Sequence, residues 1–257
     1  MDSPTINTKR RFNRLLPYWA VLQTDLRQTL RSWVYRLWVL MTILGAGGSI
    51  LYKVGIHREA GIVQAASERS GDLLRGLLAV SLGLIALLAV SGIAAERATV
   101  ADAVLSRGIS RHQYFLAKWH SRLAVILLTF IGLSAIILAA HHFLLDPDLS
   151  WLGGVVAIGL VASILWAVTS WGVTIGALSN GTIMGITLFW IVIYGGLVVL
   201  SILPEPYPTP ERLLNRLTLI LRGEFNPRVA WQLGLAGFAA GVVAAIVGMI
   251  GFSRKDV

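Results

Sequence analysis

Cysteine is absent from all 257 residues, and charge is scarce, with Asp, Glu, Lys and Arg together making up 14%. The first absence excludes disulfides and thiolate metal sites and leaves the compartment open. The second, beside 56% hydrophobic residues, nine Trp and a mean hydropathy of +0.72, excludes an ordinary soluble domain of this size. Acidic residues are the scarcer sign, 13 against 22 Lys and Arg, which leaves a net charge of +9. The dipeptide Gly-Lys does not occur, so there is no phosphate-binding G-x-x-x-x-G-K-S/T loop. Any work done on a substrate would draw its energy from another chain.

What is present is a series of apolar runs. A hydrocarbon core about 30 Å thick needs roughly 20 apolar residues in a helix rising about 1.5 Å per residue. Six runs meet that length, at 33–52, 73–95, 123–143, 151–178, 182–203 and 229–252. Arg36 and Arg75 each lie near the start of a run, where they can snorkel. The expected fold class is an all-α integral membrane protein of six transmembrane helices in a single domain. The basic N-terminal stretch leads into an amphipathic segment rather than a short apolar core with a cleavage site, so insertion through the first span is expected.

Fourteen of the 22 Lys and Arg fall in segments that are cytoplasmic if the N-terminus is inside. This bias predicts cytoplasmic termini in the cell (inner) membrane, with the excess positive charge meeting anionic lipid headgroups rather than nucleic acid. Before the first run, Leu15, Tyr18, Trp19, Leu22, Leu26, Leu30 and Trp33 recur at helical spacing, with Gln23, Thr24, Arg27, Gln28 and Arg31 opposite. The pattern predicts an interfacial elbow helix over 15–32. Ser179-Asn180-Gly181 predicts a tight hairpin between the fourth and fifth spans. The outer segment 204–228 opens with alternating prolines and then sets Leu213, Leu214, Leu217, Ile220 and Leu221 on one face. That reads as a stiff descent followed by a short amphipathic helix at the outer surface, either an anchor or an exit lid. Gly172 with Gly176, Gly181 with Gly185, and Gly237, Gly241, Ala245 and Gly248 allow close helix approach, inside the bundle or at a dimer seam.

Ionisable residues are missing from the interiors of the third to sixth spans, so ion coupling has no obvious residue to act on. The polar content there is hydroxyls, such as Thr129, Ser134, Ser163, Thr169, Ser170 and Thr174. They either back-bond to their own helices or line a path suited to amphipathic or lipidic cargo. His141, His142, Asp146 and Asp148 cluster at the end of the third run, and such groups can hold a metal. Against this, adjacent helical histidines diverge by about 100°, and Asp-Pro-Asp is ordinary turn chemistry. An intramembrane enzyme would need these residues; the sequence otherwise offers no catalytic group, metal site or cofactor site.

Between the second and third runs the chain reads ERATVADAVLSRGISRHQYFLAK, from Glu96 to Lys118. Thr99 with Asp102 resembles a capping box, and Gly108 can stop the resulting short helix over 99–107. Ser110 with Gln113 forms a second capping box that starts a new helix running through Lys118 into the third span. Val100, Ala103, Val104 and Ile109 supply apolar knobs ringed by Glu96, Arg97, Asp102, Arg107 and Arg111. Such a short helix can receive a push from a cytoplasmic partner, or be no more than a solvated loop.

Glu-Arg at the end of the second run, a Thr-containing short helix, Leu-Ser, Ile-Ser-Arg and a Lys leading into the third run together resemble the membrane subunits of type-2 ATP-binding-cassette (ABC) transporters. The ending Gly-Phe-Ser-Arg-Lys-Asp-Val257 is similar to that family's short tail. The order of elements along the whole chain carries the resemblance more than any single motif. Ala98 and Arg107 depart from it, since the family often has Gly before the Thr and Pro near the position of Arg107. The resemblance implies a permease that pairs with a second, identical or related, permease subunit and with cytoplasmic ATP-binding subunits holding ATP and Mg, exporting its substrate. Glu96, Arg97, Thr99, Asp102, Val104, Leu105, Ser106, Arg107, Ser110 and Arg111 would then form or flank a coupling helix docked on the ATPase. The reading from another class is a non-transporting membrane scaffold that uses the same short helix as a docking site.

Overall fold

The computed structural model describes residues 15–60, 65–96, 109–145, 148–204 and 209–254. Its regular elements are helices: α1 Leu16–Arg31, α2 Trp33–Ala60, α3 Ala66–Ile85, a π-helical segment Ala86–Val90, α4 Ser91–Glu96, α5 Arg111–Leu144, α6 Trp151–Leu178, α7 Thr182–Ser201, α8 Pro210–Asn215, α9 Leu217–Leu221 and α10 Pro227–Arg254. Six stretches are long and apolar enough to cross a membrane: Trp33–Tyr52, Ala66–Ala94, Arg111–Leu144, Trp151–Leu178, Thr182–Ser201 and Pro227–Arg254. The chain is therefore an all-α, multi-pass membrane protein, in which every spanning backbone satisfies its own hydrogen bonds.

The hub is α6, which packs against α3, the π segment, α4, α5, α7, α9 and α10. Its closest partner is α10, and glycines explain why. A Cβ on Gly241 would meet the Trp166 ring at 2.3 Å, and one on Gly248 would meet Phe115 and Thr174. The approach lets Trp166 Nε1 donate to Phe238 O at 3.2 Å and Thr174 Oγ1 donate to Ala244 O at 2.7 Å. Gly172 and Gly176 face the π segment on the other side of α6, where a Cβ on Gly176 would stand 2.7 Å from Val90 O. These small residues serve internal packing. The peripheral helices are α2 and α7, whose spans are each only 11% buried, against 61% for the span of α3 and α4.

The hydroxyls divide by role. Ser81, Ser91, Ser163 and Ser201 donate to carbonyls of their own helices, at Leu77, Leu87, Leu160 and Val198. Thr129 pairs with Tyr35 of α2, and Ser170 accepts from Trp119 Nε1 of α5 at 3.0 Å. These bond within and between helices, while Ser134 Oγ and Thr169 Oγ1 are buried with no hydrogen-bond partner.

The turn from α6 to α7 spans only Ser179–Gly181, with Gly181 extended at φ −170°. At the opposite end of the bundle, α8 and α9 are tucked inside. Leu213, Leu217, Ile220 and Leu221 are buried, and Ser150 N donates to Leu221 O at 2.9 Å. Gly153 makes the fit possible, because any Cβ there would overlap Ile220 O. Gly223, at φ +89°, stops α9 in the left-handed conformation that glycine adopts without penalty. The amphipathic face of this segment thus packs against protein, on α3 and α6. Residues 205–208, in the proline-rich descent, lie outside the described residues.

Candidate functional site

Helix α5 begins where local chemistry dictates. Ser110 Oγ accepts from Gln113 N at 3.2 Å while Ser110 N donates to Gln113 Oε1 at 3.3 Å, a reciprocal capping box. One residue on, Arg111 Nη1 donates to Ser253 O at 3.3 Å and so ties the start of α5 to the end of α10. Tyr114 and Phe115 close on Phe252 at the same junction, with ring centroids 6.0 and 6.3 Å apart.

Two turns into α5, Lys118 and Arg122 share one face, and Asp25 and Thr29 share one face of α1, both pairs at the i, i+4 spacing that aligns side chains. The two faces meet. Lys118 Nζ and Arg122 Nη2 both donate to Asp25 Oδ1, at 2.5 and 3.0 Å. Arg122 Nη1 donates to Thr29 Oγ1 at 2.6 Å, and Thr29 Oγ1 donates back to Asp25 O at 2.8 Å. Asp25 is 1% exposed, Lys118 and Arg122 are 4% exposed, and Lys118 Nζ also lies 5.8 Å from the centre of the Tyr114 ring. A buried carboxylate between two buried cations is stable only while the set is complete, since removing one partner leaves unpaired charge in low dielectric.

The third wall is the end of the second span. A Cβ on Gly92 of α4 would stand 3.0 Å from Arg122 Nη2. The cluster therefore touches α1, α4 and α5, the last two being the helices on either side of the 97–108 connection. Immediately before α4 lies the π segment, a geometry common at functional sites because it realigns the residues after it.

Of the residues that sequence reasoning assigned to partner docking, Ser110 and Arg111 are described as above. Glu96 ends α4. Arg97, Thr99, Asp102, Val104, Leu105, Ser106 and Arg107 lie outside the described residues. The cluster itself was not anticipated. Its signal in the sequence is Asp25 and Thr29 interrupting an otherwise apolar helical stripe, matched by a Lys and an Arg four residues apart. Leu15, Leu16, Trp19 and Trp33 are 59–73% exposed, while Asp25 and Thr29 are the buried side chains of α1. Tyr18, Leu22 and Leu26 of its apolar stripe are half-buried beside them.

At the other end of the bundle, the candidate metal group resolves into two separate ties. His141 Nδ1 pairs with Ser70 Oγ at 2.8 Å, joining α5 to α3 in the interior. Asp148 accepts from Ser67 N at 2.8 Å and from Ser67 Oγ, and Arg222 Nε lies 3.3 Å from it and 3.0 Å from Ser67 Oγ. Burial alone would raise the Asp148 carboxyl, but the Ser67 and Arg222 hydrogen bonds outweigh it and hold the group below the usual carboxylate range. His142 packs beside Trp151 with ring centroids 4.6 Å apart and planes tilted by 56°, and Asp146 lies outside the described residues. Among the described residues no three His, Cys, Asp or Glu come together as a metal group.

No protein-family model matches the chain, and no curated protein matches it. The class that fold and site define is thus a six-span helical membrane protein with a charge-locked junction at the connection between its second and third spans.

Proposed function

We propose that this chain is the membrane-spanning permease subunit of an ATP-driven ABC exporter, pairing with a second permease subunit and with cytoplasmic ATP-binding subunits. The observation that carries the reading is the Asp25, Lys118 and Arg122 cluster, which joins α1 to α5 and abuts α4 at Gly92. A push on the 97–108 connection would then be delivered to three helices together. Charge-locked helices move as one body, and rigid-body tilting of packed elements is a common route to alternating access. The interiors of the third to sixth apolar runs (123–143, 151–178, 182–203 and 229–252) hold no Asp, Glu, Lys or Arg for ion coupling, which favours energy supplied from a partner.

In this reading both termini are cytoplasmic, residues 99–107 dock on the ATPase, and Ser110-Arg111 anchor the far end of that docking segment. The test is purification of the chain from its native membrane in mild detergent, with mass spectrometry of what accompanies it, beside a Val104→Asp, Leu105→Asp variant. A nucleotide-binding subunit that accompanies the native chain and is lost with the variant is the expected result. ATP-dependent movement of labelled lipid in vesicles containing both subunits would exclude the scaffold reading. If no ATPase is recovered even after crosslinking, the transporter reading fails and the scaffold stands.

A further inference from the structure

A long cleft lies between α2 and α3, closed on a third side by Ile137 of α5, with a volume of about 450 Å³. Its walls are apolar from Val34 to Ala46 along α2 and from Leu73 to Leu87 along α3 and the start of the π segment. Gly45, Gly76 and Gly83 form part of its surface, and a Cβ on any of them would meet nothing within 4 Å. Fourteen residues separate Leu73 from Leu87, roughly 21 Å of helix rise. That exceeds half of an about 30 Å hydrocarbon core, so the cleft runs from one leaflet past the midplane.

Size selects the occupant. A second helix about 10 Å across and that long would take up roughly 1,600 Å³. The cleft holds less than a third of that, within the roughly 300–1,000 Å³ range of ligand sites. An acyl chain can lie within that space, whereas a helix would have to rest on its rim.

The end of the cleft at Val34 adjoins a polar recess at the α1–α2 junction formed by Thr24, Arg27, Gln28, Arg31 and Ser32. Ser32 and Val34 are two residues apart, at most about 7 Å of chain. Arg27, Arg31 and nearby Arg36 have no ion pair among the described residues. A basic recess beside an apolar cleft matches a molecule with an anionic head and a long tail.

We infer that the α2–α3 cleft and the α1–α2 recess together bind one anionic phospholipid, its head at Arg27 and Arg31 and its acyl chain along Gly76 and Gly83. That this lipid is cargo rests on the exporter reading; its binding does not. The test therefore uses the purified full-length chain, with no ATPase, in phosphatidylcholine nanodiscs. The probe is a trace of phosphatidylglycerol carrying a diazirine in its acyl chain, photolysed and mapped by mass spectrometry.

The expected result is label concentrated on residues 34–46 and 73–87, displaced at least about tenfold better by unlabelled phosphatidylglycerol than by phosphatidylcholine. Gly76→Leu with Gly83→Leu fills open space, so the variant folds, and it reduces the label at least about tenfold. Gly195→Leu, at an equally open position on α7, leaves it unchanged. Arg27→Gln with Arg31→Gln abolishes the preference for the anionic lipid and leaves the chain label in place. Even labelling of all lipid-facing helices, or an unchanged label in the filled variant, overturns the site. Equal displacement by the two lipids overturns the headgroup assignment. The chain has no native Cys, so a disulfide between two copies carrying Gly83→Cys would place a second copy there instead and overturn the lipid.

Discussion

Arg122 Nη2 donates to Asp25 Oδ1 across 3.0 Å, joining residues 97 positions apart and closing the N-terminal helix onto the third span. The pair is buried on both sides, and Lys118 completes it. Asp25→Ala would leave both cations without their carboxylate, at a cost of about 3–5 kcal/mol. Removing all three charges, as Asp25→Ala, Lys118→Met and Arg122→Met together, should recover most of that loss, because an apolar set of similar volume needs no partner. Thermal unfolding in detergent checks both, and a triple variant no better than Asp25→Ala would refute the charge account.

Gly92 is held small by Arg122. Gly92→Val should destabilise the fold through displacement of the guanidinium from Asp25 and Thr29. In an Arg122→Met background the same change should cost much less, giving a coupling energy of about 1–3 kcal/mol in a double-mutant cycle. Additive effects would show that the two residues do not communicate.

Gly176 and Gly195 make a matched pair on neighbouring helices. A side chain at Gly176 would press on the Val90 carbonyl of the π segment, whereas one at Gly195 meets open space. Gly176→Val should cost about 1–3 kcal/mol by overpacking, and Gly195→Val should be close to neutral. Equal stability of the two variants would contradict the packing of α6 on the π segment.

The Asp148 tie titrates in a defined direction. Its carboxyl is depressed in the folded protein, so its contribution is fully present above the unfolded value of about 3.9 and is lost as pH falls through the lower folded value. Asp148→Asn should therefore lower the unfolding temperature at pH 7 and have a smaller effect near pH 3. A difference between variant and native chain that is the same at both pH values would rule out this ion pair as the cause.

Much of the fold was readable in advance because it depends on local patterns. Six apolar runs imply six spanning helices, since the bilayer sets the length and forbids unsatisfied backbone. The Ser110 and Gln113 capping box is likewise local, its two partners three residues apart. The faces of α1 were harder. Periodicity separates apolar from polar residues, but here the buried side chains are Asp25 and Thr29, set among half-buried Tyr18, Leu22 and Leu26. The outer segment shows the same ambiguity, its apolar face turned onto α3 and α6.

Sequence alone determined the class of molecule, the number of spans, the start of α5 and the turn between α6 and α7, because those follow from composition, spacing and neighbouring side chains. Tertiary structure decided which side chains meet: Asp25 with Lys118 and Arg122, Ser70 with His141, Ser67 with Asp148 and Arg222, and the cleft left open between α2 and α3. These partners lie 71 to 155 residues apart along the chain. Their meeting depends on how helices rotate and tilt against each other, a choice made by glycine contacts and charge pairing across the bundle rather than by any one segment.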